Sequence, residues 1–281
     1  MQCWMNGQYI DEQDLRISPF DHGFLYGLGF FETFRTYGGQ VFGWEAHIER
    51  LQLALSQYRI HLTYNEHELL DVVQQLNKLV DGQDGYFRLN VSAGEHAIGL
   101  QPTEYRQPNV IIFRKQLQHT ARGTEKTAQW LTTRRNTPEQ EVRLKSHHYG
   151  NNVLGRFEMP SLAQQEGFFL TQEGYVAEGV TSNIFWVKND ILYTPSLETG
   201  ILPGIIRAWA IQKARVLGMD VREGLFTQQD VKQSTECFIT NSIQELVPIS
   251  NLEDHSLLGN KGPVYSCLHE AFVKEVECLH A

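Results

Sequence analysis

The sequence predicts a mixed α/β fold of the α+β kind, with a first part at 1–115 and a larger second part at 126–281. Three observations predict it. Short strand-like runs are joined by two-residue turns, which make antiparallel hairpins rather than a regular βαβ alternation. Helical periodicities fall between those runs. The stretch 116–125, "QLQHTARGTE", is polar and without period, and reads as the connection between two domains.

The elements follow in order. "WMNGQYI" alternates around Asn6-Gly7, a hairpin signal, and "GFFETFRTYGGQVFGW" repeats the pattern around Gly38-Gly39. "EAHIERLQLALSQY" places Ile48, Leu51, Leu55 and Tyr58 on one helical face. A second helix is predicted over 65–80, stopped by the Asp81-Gly82 turn, with strands at 86–92 and 109–114. In the second part, strands are predicted at 127–133, 167–172, 175–179, 182–187 and 191–194, with turns at Glu173-Gly174 and Asn189-Asp190. A helix is expected over 150–165, and another across 201–218, entered through Pro203-Gly204 and ended at Gly218. "ECFITNS" reads as a strand and 263–278 as a closing helix.

Composition narrows the function classes. Of 281 residues, 41% are hydrophobic and 20% charged, as in ordinary soluble domains. A net charge of −9 without any basic run argues against nucleic acid as a partner. No apolar stretch is long enough to span a bilayer, and "MQCWMNGQYIDEQDL" lacks the regions of a signal peptide. Cys3, Cys237, Cys267 and Cys278 have neither disulfide-like nor metal-site spacing, so reduced thiols in a cytoplasm are expected. The terminal "CLHA" fits a prenylation box poorly, because His280 stands at an aliphatic position.

One segment carries chemistry-bearing residues closely spaced: "EVRLKSHHYGNNVL", residues 141–154. Neighbouring residues point to opposite faces of a strand and lie about 100° apart on a helix. His147 and His148 are therefore poorly placed to share one metal ion, and no H-E-x-x-H or C-x-x-C accompanies them; no metal is expected. There is no G-x-S-x-G elbow and no P-loop, and "GLGFFE" at 27–32 lacks the third glycine of a dinucleotide fingerprint. Lys145 suits a different chemistry. An enzyme using pyridoxal 5'-phosphate needs an amine for a Schiff base, and an acid to keep the pyridine nitrogen protonated. It also needs a phosphate cradle of helix N-terminal amides, a cation and a hydroxyl. Lys145, Glu178, the Gly204-Ile205-Ile206 helix start, Arg50 and Ser242 are candidates for those parts. Each alone has an ordinary structural reading, as a solvated lysine, a strand-end glutamate or a surface arginine. Periodicity does not bring five distant segments to one point.

The segments match a known family in order. "SPFDHGFLYGLGFFETFR" (18–35), "HIERL" (47–51), "RLKSHHYGNNVL" (143–154), "VAEGVTSNIFWVKNDILYTPSLETGILPGIIR" (176–207) and "ITNSIQELVPI" (239–249) run nearly end to end. On these residues the chain resembles the class IV, fold-type IV pyridoxal-phosphate enzymes, which include branched-chain and D-amino acid aminotransferases and 4-amino-4-deoxychorismate lyases. The resemblance implies a small N-terminal α/β domain and a larger domain with a distorted barrel-like sheet. It also implies an active site between the two, completed by a second subunit of a homodimer. By the same resemblance Lys145 matches the Schiff-base lysine and Glu178 the partner of the pyridine nitrogen. Arg50 matches the arginine on the phosphate, Ile205 and Ile206 the backbone amides that bind it, and Ser242 a hydroxyl position.

Within the family the chain looks most like the bacterial aminodeoxychorismate lyases. Ala93 stands where D-amino acid aminotransferases carry a carboxylate-trapping arginine, and loss of that clamp disfavours a small α-carboxylate. Branched-chain enzymes place a tyrosine five residues after the lysine, where this chain has Gly150, with Tyr149 one earlier. The implied reaction converts 4-amino-4-deoxychorismate to 4-aminobenzoate and pyruvate, a step towards folate, with Lys145 as general base. The alternatives are a class IV aminotransferase, acting on D-amino or branched-chain amino acids, or a non-catalytic protein that binds the cofactor. Arg35, Arg88, Arg143, His147 and His148 are candidates for the substrate carboxylates, and Thr33 and Tyr149 for polar contacts near the ring.

Overall fold

The computed structural model describes residues 2–279 except 102, 118–120 and 162. The chain separates into two compact units. The first comprises Met1–Gln118, Leu144–His148 and Val276–Ala281; the second comprises His119–Arg143 and Tyr149–Glu275.

The first unit opens with a hairpin of β1 (Gln2–Met5) and β2 (Gln8–Asp11), turned at Asn6 and Gly7, both at positive φ. A short α1 (His22–Tyr26), capped by the Asp21 carboxylate, leads to β3 (Gly29–Tyr37) and β4 (Gln40–Val41). Then come α2 (Trp44–Gln57) and α3 (Glu66–Lys78), followed by β5 (Gly85–Ser92) and β6 (Asn109–Gln116). The antiparallel sheet runs β2-β1-β6-β5-β3-β4. Phe30 and Phe34 of β3 pack with Trp44, Ile48, Leu51 and Leu55 of α2 in one core. The helical face read from the sequence is thus the buried one, save that Tyr58 lies just past the helix end. An Asn65–Glu68 capping box starts α3, which ends at Lys78, ahead of the Asp81-Gly82 turn.

The second unit begins with β7 (Lys126–Trp130) and α4 (Gly150–Phe157). The helix is half the expected 150–165: Glu158 caps it, and Pro160 cannot donate the next helical hydrogen bond. The strands β8 (Gln165–Leu170), β9 (Val176–Gly179), β10 (Asn183–Lys188) and β11 (Ile191–Pro195) follow, then α5 (Ile205–Val216) and β12 (Val221–Gly224). After α6 (Gln228–Val231) come β13 (Glu236–Asn241), β14 (Glu245–Leu252), β15 (His255–Ser256) and α7 (Pro263–Cys278). The main path of this sheet is β12-β11-β10-β13-β14-β7-β8-β9, with β15 paired to β14. It curls: Val176 N–H donates to Phe226 O (2.7 Å), and Tyr175 bridges Thr227, so the β9 edge meets the segment after β12. The barrel-like sheet is therefore present, filled by Phe168, Ile184, Trp186, Ile239 and Ile249. β12, β14, β15, α1 and α6 had no counterpart in the sequence reading; they are short or lie in mixed-polarity runs, where periodicity is weak.

A single boundary at 116–125 does not describe the division. Leu144–His148 is grouped with the first unit because it pairs with β3. Phe31 N–H donates to Lys145 O (2.9 Å) and His147 N–H to Gly29 O (2.9 Å), with Phe30 opposite Ser146. Within the 116–125 connection, residues 118–120 lie outside the described residues, as do His280 and Ala281 of the terminal "CLHA".

Candidate active site

In the first unit, strand alternation decides which side chains meet. Lys145 lies opposite Phe31 and His147 opposite Gly29, so both share the face that carries Thr33 and Arg35. Thr33 pairs with Arg88 and Phe31 with Asn90 across β3 and β5, which adds those two residues to the same face. The Phe31 ring carries two cations, with Arg88 Cζ 3.6 Å and Lys145 Nζ 4.5 Å from its centroid. Asn90 Oδ1 accepts from Arg88 Nε (3.2 Å) and His147 Nε2 (2.9 Å), which assigns the ring proton of His147 to Nε2. A Cβ on Gly29 would lie 2.2 Å from His147 Cε1, so only glycine lets that ring lie against the strand. His148 is exposed, its ring beside Gly27; Arg35 stacks over Tyr37 at 4.7 Å.

Burial, reinforced by the Arg88 cation and opposed by Asp21, holds His147 down at about 4, so it is neutral at pH 7. The unfolded chain regains the ordinary value of 6.5 and takes up a proton first as pH falls. Stability due to neutral His147 is thus present above pH 6.5 and is lost as pH falls towards 4. Urea midpoints should fall more steeply for the wild type than for His147→Gln between those two pH values. Equal slopes would remove His147 as the source.

On the opposite, core-facing side of β3, Glu32 sits between Phe30 and Phe34, 1% exposed. Its carboxylate accepts from Arg50 Nε (2.8 Å) and Nη2 (2.6 Å) and from His47 Nδ1 (2.7 Å), both on α2. Burial pushes Glu32 up, but Arg50 and His47 outweigh it and hold its carboxyl at about 2. Sequence reasoning found Arg50 and missed Glu32 and His47. The signal was an acid at a core-facing register position, with His47 and Arg50 three residues apart on the covering helix.

In the second unit, Glu178 lies one residue before the end of β9, buried, and accepts from Arg135 Nε (2.8 Å), Leu202 N (2.9 Å) and Asn183 Nδ2 (3.4 Å). Arg143 Nε stands 3.8 Å from the same carboxylate. The Arg143 nitrogens also donate to Gly200 O and to Asn136 O and Oδ1, which ties this arginine to the scaffold rather than to an open surface. Tyr149 occupies the N-cap of α4. Asn183 links Glu178 to the start of α5: its Nδ2 donates to Leu202 O (2.9 Å), and its Oδ1 would lie 2.0 Å from a Cβ at Gly204. Gly204 caps α5 with no side-chain hydrogen bond to the helix. The first-turn amides of Ile205 and Ile206 are among those that find no acceptor within a helix, and a terminus of this kind suits an anion. Asn183 also pairs with Thr240, two residues before Ser242 on the β13–β14 turn, and α5 lies against β13. Glu178, Gly204 and the approach to Ser242 are thus connected through Asn183. Neither Arg135 nor Asn183 was among the expected site residues, because no local pattern ties them to Glu178.

These parts fit pyridoxal 5'-phosphate by their chemistry. They comprise an amine, an oriented guanidinium, a buried carboxylate and an uncapped helix N-terminus of glycine. Among the described residues no group of three or more His, Cys, Asp or Glu could hold a metal ion, and no helix is long and apolar enough to cross a membrane.

The family model described as amino-transferase class IV matches residues 29–252. The chain is 42% identical to the aminodeoxychorismate lyase of Bacillus subtilis (strain 168), over 98% of this chain and 94% of that protein. It is 27% identical to the branched-chain-amino-acid aminotransferase of Escherichia coli (strain K12), over 96% of this chain and 91% of that one. Among solved structures, the branched-chain aminotransferase of Thermoproteus uzoniensis with norvaline superposes with a TM-score of 0.89 at 27% identity, covering 98% of this chain and 94% of that chain.

Proposed function

The chain belongs to the class IV amino-transferase family, and on that premise we propose that it is a pyridoxal-phosphate-dependent lyase acting on 4-amino-4-deoxychorismate. The products are 4-aminobenzoate and pyruvate. The observation that carries the reading is the 42% identity to an aminodeoxychorismate lyase across nearly the whole length of both chains. The residues on the Lys145 face support it.

When bound, pyridoxal 5'-phosphate supplies a conjugated ring that takes up an electron pair. Lys145 Nζ would hold the cofactor's aldehyde carbon. Glu178 would keep the pyridine nitrogen protonated, and Arg50, the Ile205 and Ile206 amides and Ser242 would hold the phosphate. Lys145 Nζ would also serve as the base that takes the proton from the substrate's amine-bearing ring carbon. The same Nζ then delivers a proton to the departing enolpyruvyl oxygen, and aromatisation drives the cleavage. Arg88 is the best-placed cation for a substrate carboxylate, since it shares the Phe31 ring with Lys145. Neutral His147 and Thr33 offer polar contacts on that face. Arg35 and His148 are secondary candidates, and Arg143 is left to the scaffold. We further assign the chain to the cytoplasm, with pockets completed by the second subunit of a homodimer, a state that light scattering in solution reads directly.

The test is a direct assay. Incubated with aminodeoxychorismate alone, the purified protein should release 4-aminobenzoate and pyruvate in equal amounts. Glutamate formation from D-alanine or leucine with 2-oxoglutarate, without lyase turnover, would instead establish an aminotransferase. Inactivity in both assays with retained cofactor would point to a binding role.

A further inference from the structure

We propose that Glu32 and His47 are positioning residues, which set the orientation of the Arg50 guanidinium towards a phosphate; the proposal rests on the reading of Arg50 given above. Glu32 occupies a position where alternation demands an apolar side chain, so its burial needs compensation. That compensation is directional. Arg50 meets the carboxylate in a two-toothed fashion through Nε (2.8 Å) and Nη2 (2.6 Å), which fixes the plane of the guanidinium as well as its distance. His47 Nδ1 holds Glu32 Oε2 from the same helix (2.7 Å), while its Nε2 is buried without a hydrogen-bond partner among the described residues. Burial keeps His47 neutral although Glu32 pulls the other way, with Arg50 and Lys145 adding to the effect of burial. It therefore orients Glu32 without adding a second cation beside Arg50.

Two effects of Glu32 on phosphate affinity have opposite signs. Its negative charge opposes a second anion near Arg50, so removing that charge would tighten binding if charge were the whole effect. Its hold on the guanidinium removes rotamers that a long side chain otherwise explores, so removing it would weaken binding. The two-toothed geometry makes the second effect the larger.

The experiment uses the full-length chain, stripped of cofactor and titrated in parallel with pyridoxal 5'-phosphate and with pyridoxal, which lacks the phosphate. Glu32→Gln should raise the Kd for pyridoxal 5'-phosphate about tenfold or more and leave that for pyridoxal within about twofold. Glu32→Asp should recover part of the loss, and His47→Gln should raise the phosphate-dependent Kd about threefold. If Glu32→Gln fails to fold, His47→Gln carries the same comparison. An equal loss for both aldehydes would make Glu32 and His47 scaffold only. Tighter binding of the phosphorylated form would make Glu32 a competitor. Unchanged affinity in both variants would also overturn the proposal. Arg50→Lys separates the two levels: if it leaves pyridoxal 5'-phosphate affinity intact, the assignment of Arg50 to the phosphate is wrong, and the positioning role falls with it.

Discussion

Lys145→Ala is expected to lower kcat/KM for lyase turnover by at least about 10⁴-fold, because the proposed function gives one side chain both the cofactor linkage and the moving proton. The loss should be chemical rather than structural. What registers residues 144–148 on β3 is backbone: Phe31 N–H on Lys145 O and His147 N–H on Gly29 O, both at 2.9 Å. Alanine preserves those bonds, so the urea midpoint should move little. Lys145→Arg keeps the charge beside Phe31 but offers no nucleophilic amine, and it should be as inactive as the alanine variant. Borohydride reduction of the loaded wild type, followed by peptide mapping, should place the cofactor on Lys145. Recovery of the adduct on any other lysine would refute the assignment.

Glu178 is expected to show a double effect. Glu178→Ala leaves the Arg135 guanidinium, 6% exposed, without the carboxylate that balances it, and Arg143 stands 3.8 Å from the same site. Breaking such a buried pair should cost about 3–5 kcal/mol in urea unfolding. Glu178→Gln keeps an acceptor for Leu202 N, 2.9 Å away in the wild type, and should cost about 1–2 kcal/mol. In activity the two variants should converge, with kcat reduced about 10²–10³-fold, because neither carries the negative charge that the proposed function assigns to keeping the pyridine nitrogen protonated. A Gln variant with full turnover and reduced stability would make Glu178 a structural partner of Arg135 and no more.

The parts of the site that were legible in the sequence are those with local signatures. Pro203-Gly204 ahead of a periodic run announced a helix N-terminus, and α5 begins at Ile205 with Gly204 as its cap. "RLKSHHYG" isolated Lys145, and the order of matching segments supplied Arg50, Glu178 and Ser242. The closing helix at 263–278 coincides with α7, since apolar spacing and a Pro at its first position agree there. The expected 150–165 helix shows the limit: periodicity continues past Phe157, but Pro160 removes a backbone donor and the helix stops.

By itself the sequence determined the type of most elements, the family and the candidates for the cofactor chemistry, because these depend on spacing and on residue type within short windows. Only the tertiary structure decided which face each residue joined. Pairing of 144–148 with β3 put Lys145 and His147 beside Phe31, Arg88 and Asn90, while alternation sent Glu32 to the other side, beneath Arg50 and His47. It also joined Arg135 to Glu178 across 43 positions of chain. A one-residue slip in the strand registers would exchange the two faces, and which distant segments pair is a long-range matter that no short window of sequence contains.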